Sequence, residues 1–292
     1  MALAQQAADV LRRVARRLDP PVRPQSRPVS AADLASLPDA PPSASGSRPA
    51  SMFFDTHPRF YDTSETASGR ARLNLRYEAI FAENLDILDG ATVLDIASHD
   101  GRWSLAALAC GARSVVGIEA RSDLVDHAVS NLAQYGYDAD RCRFIVGDVH
   151  DVLRSQELEM DVVLCLGFLY HTLRYNELFR GIRATGARHV IIDTEAPRMM
   201  SDRASIQVFS EPSDKQSAAA ADELTHGSSV LTGRPNLSAI RTMLDSYGYR
   251  VERLSDWAAL LRDNPDLVCC GDYERQYRLT LRCVDSDAVP AR

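Results

Sequence analysis

Apolar residues in the middle of the chain fall in short blocks separated by amphipathic stretches of helical period. Ala91-Thr-Val-Leu-Asp95 reads as a buried strand ending on an acid, and a small-residue turn closes at Gly101. The next apolar positions, Trp103, Ala106, Ala107 and Cys110, recur at the spacing of a helix packed on one side. Further strands are predicted at 114–119, 143–148, 160–166 and 189–193, with helical stretches at 123–135 and 175–185 between them. Such alternation implies a parallel sheet covered on both faces, with ligands at the carboxyl ends of its strands. Asp95, Glu119, Asp148 and Gly167 all lie at such ends.

The last third breaks the rhythm. Leu237, Ile240, Met243 and Leu244 mark one side of a helix over 235–247, and a strand follows at 249–254. Residues 276–283 alternate strictly between apolar and polar, which marks an antiparallel strand near a sheet edge. The expected fold class is therefore α/β, doubly wound, with a mostly parallel seven-stranded sheet and a C-terminal antiparallel strand.

From about Leu75 to Cys283 the chain resembles the class I S-adenosylmethionine-dependent methyltransferases, whose sheet is Rossmann-like. Their first motif, an acid followed by a glycine-rich turn, reads here Asp95-Ile-Ala97-Ser98-His99-Asp100-Gly101, keeping only the last usual glycine. Similar degenerate turns occur in members whose fourth strand ends in Gly-x-Leu-Tyr-His, here Gly167 to His171. That branch includes a tRNA wobble-uridine carboxymethyltransferase. The resemblance implies S-adenosylmethionine as cofactor, with its methionine part over Ala97, Ser98 and Gly101 and its amino end held by Asp95. Glu119 would take the ribose hydroxyls, since a carboxylate accepts both bonds of a cis-diol. Asp148 and the Val149 amide would read the adenine, flanked by Ile118, Ala120 and Leu166. The plainer alternative is that the three acids only cap helices.

Composition divides the chain. Eight of the 14 prolines lie between Pro20 and Pro49 among Ser, Ala and Arg, a composition that cannot offset ordering entropy. The expected organisation is a short basic amphipathic helix at 1–18, a Pro-rich linker at 19–51 and a lid with helix at 52–90. A methyltransferase domain at 91–284 with a substrate-side insertion at 199–231 and a tail at 285–292 complete it. The basic face of residues 3–18 suits weak contact with an anionic membrane surface, or a solvated tail. Six cysteines without paired zinc spacing read as reduced and structural. A net charge of −7 argues against a dominant nucleic-acid face. One lysine against many arginines fits high-GC bacterial coding, so bacterial cytoplasm is the expected location. Oligomeric state is not readable from the sequence.

On the acceptor side His171 is the candidate general base and Tyr170 its orienting neighbour, because the end of the fourth strand faces the transferred group. Aromatic and arginine residues at 53–61 and 70–78 suggest a lid, with Arg72, Asn74, Arg76 and Tyr77 as acceptor-binding groups; Glu195 joins them from the fifth strand. His150, Asp151, Asp193 and Glu195 raise the option of a divalent cation such as magnesium. A hairpin is predicted from 206–209 and 229–232, with the polar 213–225 stretch as its mobile tip.

The leading expectation is methyl transfer to a small polar acceptor, by O-methylation of a sugar or secondary-metabolite hydroxyl. The alternatives are an RNA-modifying transferase, a nicotinamide-dependent oxidoreductase and a cofactor-binding protein without turnover. Lost glycines disfavour the oxidoreductase, since a pyrophosphate needs close backbone approach at the turn.

Overall fold

A computed structural model describes residues 52–63, 69–197, 203–215, 217–265 and 270–288. The expected helix at 1–18 and linker at 19–51 lie outside the described residues. In chain order the strands are β1 (Thr92–Ile96), β2 (Ser114–Glu119), β3 (Cys142–Val146), β4 (Val162–Leu166), β5 (His189–Glu195), β6 (Ile206–Pro212), β7 (Ser229–Pro235), β8 (Tyr249–Leu254) and β9 (Arg278–Asp285). The helices are α1 (Arg70–Ile80), α2 (Leu85–Leu88), α3 (Arg102–Ala109), α4 (Ser122–Gln134), α5 (Val149–Ser155), α6 (Tyr175–Ala184), α7 (Leu237–Ser246), α8 (Trp257–Asp263) and α9 (Gly271–Glu274).

The main sheet has the order β3-β2-β1-β4-β5-β9-β8; its first five members are parallel, and β9 runs antiparallel to both neighbours. The order reverses between β1 and β4, and such a reversal opens a crevice at the carboxyl ends of the strands. Alternate residues of β1 face two different cores. Leu94 and Ile96 pack with α5, α6 and α7 through Val152, Phe179 and Ile240, whereas Val93 packs with Trp103, Leu105 and Phe81. As expected, β6 and β7 pair antiparallel into a separate hairpin, in register from Ile206↔Pro235 to Pro212↔Ser229. None of the described helices is long and apolar enough to cross a membrane.

The turn after β1 holds its shape without the usual glycines. Ala97 and His99 both sit at φ 53, and Gly101 at φ 80. Positions 97, 99 and 101 thus keep the left-handed backbone that glycine adopts freely, at a cost of roughly 1–2 kcal/mol for each residue with a Cβ. Ser98 N–H donates to the Ile118 carbonyl at 2.9 Å and Gly101 N–H to the Ser98 carbonyl at 3.0 Å, which lock the turn between β1 and β2.

Gly101 has no such latitude. A Cβ there would lie 2.8 Å from Leu132 Cδ1 and 3.1 Å from Ala128 Cβ, on the buried side of α4. Gly101→Ala is expected to cost at least about 2 kcal/mol, from left-handed strain plus overpacking, read by urea unfolding; a stability equal to wild type would show that the turn relaxes freely.

Candidate active site

A cleft of about 780 Å³ opens at the carboxyl ends of the parallel strands, within the size range of small-molecule sites. Its walls join the strand-end acids, the β4 end, α1 and the hairpin. Of the residues expected at the cofactor, Ala97, Glu119, Ala120, Asp148, Val149 and Leu166 line it. Asp95, Ser98 and Gly101 lie behind the lining, with Asp95 and Ser98 fully buried. Of the acceptor-side candidates, Arg72, Arg76, Tyr170 and His171 line the cleft; Asn74, Tyr77 and Glu195 do not.

The acids are set by local backbone. Glu119 ends β2, and its two carboxylate oxygens each accept one amide, His99 N–H and Arg121 N–H, both at 3.0 Å. It therefore stitches the β1 turn to the β2 end and keeps lone pairs toward the cleft. Asp148 caps α5: its Oδ1 accepts the His150 and Asp151 amides at 2.9 and 3.2 Å. Capping and cleft-lining are both filled by this side chain.

Asp95 is a different case. Ser104 Oγ donates to its Oδ2 at 2.7 Å, while Oδ1 is buried without a partner. Burial pushes its carboxyl up to about 7, against the pull of Ser104 and Arg102. Ser98 Oγ and His99 Nε2 are likewise buried without partners around the same turn. Of these three residues only His99 lines the cleft; Asp95 and Ser98 sit directly behind it.

On the opposite side a second buried acid is saturated. Asp193 Oδ1 accepts from Arg278 Nε at 2.8 Å, Arg278 Nη2 at 2.7 Å and Arg76 Nη2 at 3.0 Å. Its Oδ2 accepts the Tyr273 and Thr280 hydroxyls, both at 2.8 Å. Burial alone would raise its pKa, but the two guanidiniums and two hydroxyls hold it down to about 2. Arg278 also donates to Tyr170 Oη at 3.4 Å and lies over its ring, 5.1 Å from the centroid. Because β9 runs antiparallel, its first residue stands at the carboxyl edge of the parallel strands, opposite Glu195 and diagonal to Asp193.

The 3-10 turn Leu169–His171 follows β4. His171 Nδ1 lies 2.7 Å from Glu211 Oε2 on β6, with both side chains about 15% exposed. Burial alone would raise the Glu211 pKa, but the His171 hydrogen bond and the Ala219 amide bring it below the usual range. The connection after β6, expected as a mobile tip, is bonded to residues beside the strand-end acids. Arg121 Nη2 donates to the carbonyls of Lys215 and Ala218 at 2.9 and 3.0 Å, and Arg174 Nη1 meets Asp222 Oδ2 at 3.1 Å.

Three expectations need correction. The segment 53–61 is no lid: Phe54 and Phe60 are fully buried in the core and Phe53 stacks on Tyr77 at 4.0 Å, so its aromatic residues act as packing. Asn74 serves that packing by accepting the Phe54 amide at 2.7 Å, and Tyr77 Oη meets Cys110 Sγ at 3.6 Å, so neither is offered to an acceptor. Glu195 is occupied by Arg234 Nε at 2.7 Å. The suggested divalent-cation set does not assemble. Asp193 is already neutralised by arginines, Asp151 pairs with Arg154, His150 is buried against Thr172, and no metal-binding cluster of His, Cys, Asp or Glu exists among the described residues.

The sequence reading missed Glu211 and Arg278. Glu211 lies far from His171 along the chain, and they meet only where the hairpin packs against the turn after β4. Arg278 had a signal: it shares the period-2 face of Thr280 on the alternating strand.

The family described as a methyltransferase domain matches residues 93–186. A protein arginine N-methyltransferase from Arabidopsis thaliana is 26% identical over 117 residues, 40% of this chain; the match spans 30% of that relative. Among solved structures, an S-adenosylmethionine-dependent methyltransferase from Mesorhizobium loti superposes with a TM-score of 0.50 at 17% identity, covering 72% of this chain and 97% of that one. One from Listeria monocytogenes gives 0.50 at 15% identity, covering 72% and 98%. The sheet order and these likenesses identify the fold.

Two outcomes test the opposed acids. Asp193→Asn leaves two buried guanidiniums without their carboxylate and is expected to cost about 3–5 kcal/mol in urea unfolding. For Asp95 the folded state keeps its proton between pH 3.8 and about 7 while the unfolded state loses it. Wild-type stability should therefore fall as pH rises through that window. Asp95→Asn should abolish this part of the fall and be the more stable protein at pH 8.

Proposed function

We propose that this chain, a methyltransferase domain on the class I S-adenosylmethionine-dependent fold, transfers a methyl group from S-adenosylmethionine to a hydroxyl of a small polar acceptor, such as a sugar or secondary metabolite. The observation that carries the reading is the His171–Glu211 pair at the end of β4, with His171 lining the cleft that the strand-end acids share. Bound S-adenosylmethionine would supply an electrophilic methyl group.

The residues present suit that cofactor. Asp95, with an unpartnered buried oxygen, would hold the amino end, and the Ala97–Gly101 turn would carry the methionine part. Glu119 would accept the ribose hydroxyls through its remaining lone pairs, and Asp148 with the Val149 amide would read the adenine edge between Ala120 and Leu166. The order in which two antiparallel-linked strands close the sheet, rather than further parallel ones, favours this reading over a nicotinamide oxidoreductase.

For the acceptor, Glu211 accepts a hydrogen bond from His171 Nδ1–H, which leaves Nε2 as the basic nitrogen that receives the hydroxyl proton. Positioning supplies the larger part of the rate in a displacement of this kind. Tyr170, held by Arg278, orients the acceptor from the same turn. Arg76 and Arg278 share one carboxylate, so this wall presents excess N–H donors to acceptor oxygens.

His171→Ala is expected to lower kcat by about 10²–10⁴, the range of general-base catalysis, with S-adenosylhomocysteine affinity unchanged by calorimetry. Glu211→Gln should lower kcat less and shift the pH profile of kcat. Unchanged turnover across pH in both variants would remove the base role and leave the cofactor site standing.

A further inference from the structure

We propose that His99 is the anchor for the α-carboxylate of the cofactor's methionine part. The inference rests on the reading of the cleft as an S-adenosylmethionine site, and it adds a residue that the strand-end acids do not account for. His99 lines the cleft and occupies a left-handed backbone position, φ 53, that is uncommon for residues other than glycine. Strain of this kind persists where the surroundings over-determine it, and such places cluster at ligand sites.

The ring is fixed by its neighbours. Arg102 Nη2 lies 2.7 Å from His99 Nδ1, and a guanidinium can only donate, so Nδ1 accepts. The Asp100 carboxylate is farther from that nitrogen, at 3.5 Å, and is already taken by Arg102 Nε at 2.8 Å and by Thr63 Oγ1 at 2.8 Å. The ring proton therefore sits on Nε2, a buried donor with no partner. The backbone amide of the same residue is spent on Glu119, at 3.0 Å. Only the side chain of His99 remains to donate.

An anion is the partner that suits this donor. Nε2–H is polarised from behind by the Arg102 guanidinium, and Arg76, stacked 4.8 Å over the Trp103 ring, lines the same cleft. The fixed carboxylates near the turn have their own partners or, for Asp95, suit a cation. Of the groups that a methionine part brings, the carboxylate matches His99 and the ammonium matches Asp95. One turn would thus sort the two charges of a zwitterion by opposite side chains.

The test compares two ligands that differ in that carboxylate, S-adenosylmethionine and its decarboxylated form, by calorimetry on the full chain. His99→Gly removes the ring and suits the backbone, so it should fold at least as stably as wild type. It should bind S-adenosylmethionine about 10- to 100-fold more weakly, the loss of one charge-assisted hydrogen bond, while affinity for the decarboxylated form stays unchanged. His99→Asn, which tolerates the left-handed backbone, should show the same selective loss. Equal weakening of both ligands, or of neither, would overturn the proposal and make His99 a space-filling residue. A wild-type chain that binds neither ligand would instead sink the cofactor reading beneath it.

Discussion

One wall of the cleft hangs on one carboxylate. Asp193 is fully buried, and an ionised carboxylate in that setting persists only when its charge and lone pairs are met. Here Arg76 comes from α1, Arg278 and Thr280 from β9, and Tyr273 from α9. Four contacts thereby join the helix that precedes the sheet to the strand that ends it. Arg72 on α1 reinforces the same junction through a forked pair with Asp272, both bonds at 2.6 Å. Two guanidiniums thus answer one carboxylate at the wall of the cleft.

Asp95 and Asp193 are both fully buried strand-end acids, yet their surroundings push them in opposite directions, to about 7 and about 2. The difference is the number of cationic partners. Asp193 has its cations built in, so it is structural. Asp95 has one hydroxyl and an oxygen without a partner, so it is incomplete until something brings a positive group. A protein that buries an acid in this way gives up stability at neutral pH, and the binding of a cationic group restores it through the same linkage.

Periodicity made the sheet legible. The parallel strands, the acids at their ends and the hairpin from Ile206 to Pro235 all follow from apolar blocks and alternation, because those signals report burial along a single element. What it did not carry was which polar side chains meet. Phe53, Asn74 and Tyr77 have the composition of a recognition surface, yet the core claims them: the Asn74 amide is needed to satisfy a buried Phe54 N–H. Asp193 and Glu195 look like cation ligands until β9 is laid beside β5, when Arg278 and Thr280 fall opposite them. Likewise His171 is visible from its strand end, whereas Glu211 becomes its partner only once the inserted hairpin folds back. Local pattern fixes elements; chemistry depends on contacts between elements far apart in sequence.

The hairpin also touches both sides of the cleft. Gly233 lets it seat closely: a Cβ there would meet Leu173 and the Tyr175 hydroxyl, both at 2.5 Å, and Tyr175 Oη donates to the Gly233 carbonyl at 2.6 Å. From that base β6 delivers Glu211 to His171, and the connection beyond it is gripped by Arg121, two residues past Glu119, and by Arg174 through Asp222. The element that orients the candidate base is therefore anchored beside the carboxylate proposed to hold the ribose. Under that proposal, a ligand on Glu119 would engage the residue whose neighbour Arg121 secures the hairpin. Cofactor occupancy and the alignment of His171 would then be coupled through one inserted element, without any contact between cofactor and base.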